Sequence, residues 1–205
     1  MKNMFPLSIR KVLENTGGMA LAMLCCALMI GCSTAVTPPL NPRNPQVIYL
    51  CDCGIHSSLL LPVGNGTYVE FLYGDWNWAA LGHHGPQDAL GALLFSQQST
   101  LGRRFLKPPG GDAMPQPVDR PFAETRVIVN GDGCWEVVRK LMARWEQHRA
   151  TATLIETDLS YVKDDEPYSW THDCNALTAD CLRAMGCKVD GSPILSNFRV
   201  VDPAP

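Results

Sequence analysis

Apolar and polar positions alternate in three different ways along this chain. Met19 to Ile30 is an almost purely apolar run of twelve residues. That is shorter than the ~20 apolar residues a membrane-spanning helix needs. From Val47 onward the apolar runs are short and are cut by Gly and Pro, which is the pattern of strands and turns. Val47–Cys51 predicts a buried strand broken at Gly54, and His56–Leu61 a second strand ended by Pro62. Gly64-Asn65-Gly66 predicts a hairpin turn, because Gly and Asn tolerate positive φ, with Thr67–Leu72 as the returning strand. Thr125–Asn130 predicts a further strand. After it the spacing changes to that of a helix: Trp135, Val138, Leu141, Met142 and Trp145 share one face of a segment capped by Asp132 and ending near His148.

A last helix is predicted for Cys174–Met185, capped by Asp173 and stopped by Gly186. Pro193–Val201 returns as extended chain. Gln87–Phe95 suggests a short helix, Lys107–Pro121 a long Pro- and Gly-rich loop, and Tyr161–Trp170 a polar loop with aromatics. Early strands with interspersed helices give an α+β fold class.

The ends change the picture. Lys2, Arg10 and Lys11 precede the apolar run, which stops at Gly31-Cys32-Ser33. This is the layout of a secretory signal, and it resembles a bacterial lipobox, so residues 1–31 are expected to be removed and Cys32 to carry lipid. Ser33 after the cysteine favours outer-membrane sorting, which gives an envelope protein anchored to the membrane and facing the periplasm. Residues 32–46 hold Pro38, Pro39, Pro42 and Pro45 and are expected to form an extended tether. Residues 47–205 have the length of a single domain with one core. The net charge of −3, with no basic patch, gives no reason to expect nucleic acid.

Six cysteines remain beyond Cys32: Cys51, Cys53, Cys134, Cys174, Cys181 and Cys187. An even count in an oxidising compartment invites disulfides, with pairings the sequence leaves open. Cys174 and Cys181 are separated by two helical turns, about 10 Å, and cannot pair while the helix stands.

Two segments carry candidate chemistry. His56 opens a strand, and Cys174 opens a helix. A helix N-terminus and a nearby imidazole both favour a thiolate, so together these are the parts of a thiol acyl-transfer site reactive below pH 7. Each has a plainer reading: a histidine at a sheet end, and a buried or disulfide-bonded cysteine. The group that orients the imidazole is expected to be Glu70 on the returning strand, with Asp75 as its rival, because register cannot be fixed from sequence. The Cys174 backbone N–H is expected to meet an oxyanion. No cofactor is called for.

These residues also carry a resemblance. A strand histidine followed by apolar residues, a Gly-rich turn, a strand bearing an acid and a distant Asp173-Cys174-Asn175 at a helix start resemble the circularly permuted papain-like, NlpC-type superfamily. In its permuted members the histidine precedes the cysteine. Asp52-Cys53-Gly54-Ile55-His56-Ser57, Tyr73-Gly74-Asp75 and Cys174–Ala179 more closely resemble an uncharacterised bacterial lipoprotein family of the urease gene region, over roughly 47–200. Departures from that family's pattern are Ile55, Ser58 and the cysteines at 51 and 53. The resemblance implies a papain-like fold with His56, Cys174 and Glu70 as catalytic residues, acting on an amide, peptide or ester of the cell envelope.

Two other function classes compete. Cys51-x-Cys53-x-x-His56, with His83-His84, offers sulfur and imidazole donors suited to zinc or copper(I). Alternatively the fold serves as a non-catalytic envelope platform. Tyr73, Trp76 and Trp78 are candidates to line a cleft, or to pack beneath the long loop.

Overall fold

A computed structural model describes residues 33–82, 91–92, 94–108, 115, 123–155, 159–193 and 196–203. The signal segment, Cys32, His83, His84 and most of the expected Gln87–Phe95 helix and 107–121 loop lie outside these residues. Ten strands are described: β1 Thr34–Thr37, β2 Gln46–Asp52, β3 Ser57–Gly64, β4 Thr67–Asp75, β5 Ser99–Leu106, β6 Ala123–Val129, β7 Thr153–Leu154, β8 Ser160–Asp164, β9 Lys188–Asp190 and β10 Phe198–Val200. The α-helices are α1, Gly131–Gln147, and α2, Cys174–Ala184. A π-helical turn spans Trp76–Ala80. The protein is α+β.

Seven strands form one antiparallel sheet in the order β6-β2-β3-β4-β5-β8-β7. Its centre is built from hairpins. The β3–β4 turn is Asn65-Gly66 with φ of 52° and 66°, the left-handed pair that a two-residue hairpin loop requires. Side chains alternate between the two faces. Ile48, Leu50, Leu59, Leu61, Val69, Phe71, Leu101 and Val162 pack with Val138, Leu141 and Trp145 of α1 and with Leu182 of α2 to make the main core. Each such side chain, fully buried, contributes roughly 1.5–3 kcal/mol. Tyr49, Cys51, Leu60 and Leu106 form a smaller cluster from the opposite phase of the same strands.

Four differences from expectation have simple causes. The segment read as a tether is partly folded: β1, Thr34–Thr37, pairs with β9 and β10 in a second, three-stranded sheet. The prolines stop β1 rather than prevent it. Asn130, not Asp132, is the cap residue of α1, and Asp132 instead accepts a bond from Asn44 in its first turn. The polar 161–170 loop begins with β8, whose alternation is masked by Lys163 and Asp164. Strand β5 was not anticipated because Gly102 interrupts it. There a Cβ would lie 2.5 Å from the Tyr161 ring, so only glycine lets β8 pack that side chain across it.

Candidate functional site

The chain between β2 and β3 reverses in two residues. The Cys53 N–H donates to the His56 carbonyl at 2.9 Å, and the Gly54 N–H donates to Asp52 Oδ1 at 2.8 Å. Gly54 has φ of 88°, a conformation glycine adopts without a Cβ penalty. His56 therefore precedes β3 rather than opening it, at the end of the sheet.

This turn packs on the first turn of α2. Ser57 Oγ lies 2.9 Å from Asn175 Oδ1 and 3.0 Å from Thr178 Oγ1. One hydroxyl proton serves one acceptor, so Ser57 donates to the amide oxygen and Thr178 donates back to Ser57. Asn175 Nδ2 donates to the Ile55 carbonyl at 3.3 Å. Asp173 caps the helix by accepting from the Ala176 N–H at 2.8 Å. Cys174 is the first residue of α2. The two segments that carry candidate chemistry thus meet.

The electrostatics at Cys174 run against a ready thiolate. Its residue is 6% exposed, and burial pushes the thiol from an ordinary 9.0 up to about 12. The Asp173 carboxylate raises it further, while hydrogen bonds from the backbone of Ser57, Asn175 and Cys174 itself pull it down. Desolvation outweighs the helix start, and the expectation of a thiol reactive below pH 7 does not describe this resting geometry. The phenol of Tyr168 is raised mainly by burial and then by the charges of Cys174 and Asp173.

Glu70 does not join this site. It is 1% exposed and accepts from Ser58 Oγ at 2.7 Å. Ser57 faces α2, so alternation sends Ser58, and with it Glu70, to the other face of the sheet. The same register puts His56 in phase with Ser58. Asp75 lies at the correct end of the sheet, but both its oxygens are used: Oδ1 caps the π-helical turn at the Trp78 N–H, 2.9 Å away, and Oδ2 accepts from Ser96 Oγ at 2.6 Å. Tyr73 is core, and Trp76 packs against Leu72, Ala80, Leu159 and Tyr161.

Sequence reasoning missed a second polar group on the Cys174 side. His172 Nε2 is 3.0 Å from Glu166 Oε2, and Arg144 Nη1 is 2.9 Å from the same oxygen. Arg144 also pairs with the buried Asp164. The Tyr73 ring stacks edge-on with His172, at 5.5 Å between centroids, and lies 5.6 Å from the Tyr168 ring. Its hydroxyl donates to the Glu166 carbonyl at 2.9 Å, and burial raises it to about 12. The available signal was His172 lying two residues before Cys174, but Glu166 and Arg144 become its neighbours only through folding.

No disulfide links Cys51, Cys53, Cys134, Cys174, Cys181 and Cys187. Among the described residues no group of three or more His, Cys, Asp or Glu side chains is placed to hold a metal ion, so Cys51, Cys53 and His56 do not make the donor set that the metal-module reading requires. No protein-family profile, curated protein or solved structure matches the chain.

Proposed function

We propose that this protein is a lipid-anchored envelope protein of the circularly permuted papain-like type, with an acyl-transfer site at Cys174. One observation carries the reading. The turn bearing His56 is bonded to the first turn of α2, which begins with Cys174, through Ser57 and Asn175. In this reading the Cys174 sulfur attacks an acyl carbon of an envelope amide, peptide or ester. A thioester forms, the leaving amine or alcohol takes a proton from the imidazolium, and water or a second nucleophile releases the acyl group. The base in this reading is His56, whose place in the strand phase is that of Ser58, so its ring must turn about the β2–β3 turn to reach the sulfur. His172, held by Glu166, is the imidazole next to Cys174 along the chain. The test is trapping with a nitrophenyl acyl ester followed by mass spectrometry. Acyl-Cys174 should form and should disappear in Cys174→Ser. Its loss in His56→Ala but not in His172→Ala assigns the base, and the reverse result moves that role to His172.

The burial of Cys174 favours a second reading, a non-catalytic platform in which Cys174 is a packed core residue. Failure of every acyl donor to label Cys174, with the protein folded, would decide for it.

A further inference from the structure

Five large apolar side chains face solvent at the end of the main sheet that carries Cys174, while Leu40, Phe105, Ile128, Trp135, Leu154 and Ile155 are exposed elsewhere. Ile55, at the tip of the β2–β3 turn, is 69% exposed. Trp170 is 59% exposed, at the tip of a turn held by paired backbone bonds between Ser169 and His172. Leu81 follows the π-helical turn that leaves β4, while Leu94 and Phe95 precede β5; all three are exposed, Phe95 by 73%. These residues sit on three separate connections. The register brings the connections to one end, since Asp75 pairs with Ser99 and Ser99 with Asp164. Asp75 ties Ser96 to the same place.

The N-terminal segment arrives at this end too. The Thr34 N–H donates to the Asn197 carbonyl at 2.9 Å, and the neighbouring Ser196 hydroxyl donates to Asp52, at the base of the Ile55 turn. The chain preceding Ser33 contains the apolar run 19–30. With β1 starting at Thr34, one residue after Ser33 and two after Cys32, little slack separates any anchor there from the folded domain.

We propose that this end of the domain docks on a phospholipid surface through Ile55, Trp170, Phe95, Leu94 and Leu81. The inference rests on the anchored-lipoprotein reading for its geometry. Anchoring holds the end close to the bilayer, and the apolar tips then enter the interface, where an amphipathic indole such as Trp170 settles well. The charges nearby are acidic as well as basic: Asp165 is exposed and Glu166 half exposed, beside Arg144, His148 and His172. Docking therefore depends on apolar insertion rather than on anionic headgroups. It would face the Cys174 site toward the membrane and favour substrates presented at the bilayer surface.

The test uses the full chain reconstituted into phosphatidylcholine vesicles whose acyl chains carry bromine, a contact quencher of tryptophan emission. Flotation of the chain with the vesicles reports anchoring, and quenching reports docking. The expected result is flotation with quenched emission, most of the quench being lost in Trp170→Phe and reduced in an Ile55→Ser/Phe95→Ser pair. Flotation without quenching, or with a quench unchanged in Trp170→Phe, overturns the docking while leaving the anchor intact. A chain that does not float overturns both. Quenching that appears only when anionic lipid is added, or emission that changes only with protein concentration as two copies associate, also overturns it.

Discussion

Asp173→Asn separates the two effects that hold the Cys174 thiol neutral. The thiol is raised from an ordinary 9.0 to about 12, chiefly by burial and next by the Asp173 charge. Three units correspond to ~4 kcal/mol against ionisation, and at pH 8 they leave about a thousandfold less thiolate than an ordinary cysteine has. Asn caps helices as well as Asp does, so the bond to the Ala176 N–H survives the change. Removing one adjacent charge while burial remains should raise the thiolate fraction by about tenfold. The assay is pulsed iodoacetamide labelling across pH, with the Cys174 peptide quantified by mass spectrometry. Cys181, buried on the same helix and also raised to about 12, controls for opening of the fold. The Asp173 carboxyl is itself raised by burial. A raised carboxyl keeps its proton in the folded state above its unfolded value, so this group's contribution is most favourable at low pH and is lost as pH rises through the folded value. Asp173→Asn should flatten that fall in stability. Wild-type Cys174 labelling at pH 8 as fast as in urea-unfolded chain, or slower labelling in the variant, would refute the reasoning.

Ser57→Ala removes the hydroxyl shared by Asn175 and Thr178 and should cost about 1–3 kcal/mol in urea unfolding, because two buried hydrogen bonds are lost. Glu70→Ala should cost a similar ~1–3 kcal/mol, yet leave the pH dependence of Cys174 labelling unchanged, since Glu70 serves Ser58 on the far face. Gly133→Ala opposes two effects. Helix propensity favours Ala by ~1 kcal/mol, but the new Cβ would sit 2.4 Å from the Ala184 carbonyl oxygen, so net destabilisation of about 1–3 kcal/mol is expected in the same assay. If the variant is more stable instead, α1 does not approach the end of α2 this closely.

Elements with strong local signals were legible before folding was considered. The Asn65-Gly66 turn, the Asp173 cap and the Gly186 stop depend on backbone conformations that particular residues adopt at little cost, and Gly186 has φ of 91°. The amphipathic spacing of α1 follows from one helix face meeting one core, but Trp135, expected on that face, is 42% exposed, and Cys134 and Val137 are buried there instead. Strands β5 and β8 were obscured for the opposite reason. Their Gly, Arg, Lys and Asp residues are compatible with a sheet only because Tyr161 fills the space over Gly102 and Arg144 pairs with Asp164.

For the candidate site, the sequence by itself determined which groups are present: a cysteine at a capped helix start, histidines at 56 and 172, and acids at 70 and 75. Which of them share a place was decided by register. In a strand, one residue is the difference between two faces, and that single step puts Ser57 on Asn175 while sending Ser58 to Glu70. The state of the Cys174 thiol was likewise outside the reach of sequence. A helix start is a local feature and can be read locally. Desolvation depends on what packs around the sulfur, and that is decided only when the β2–β3 turn docks on the start of α2.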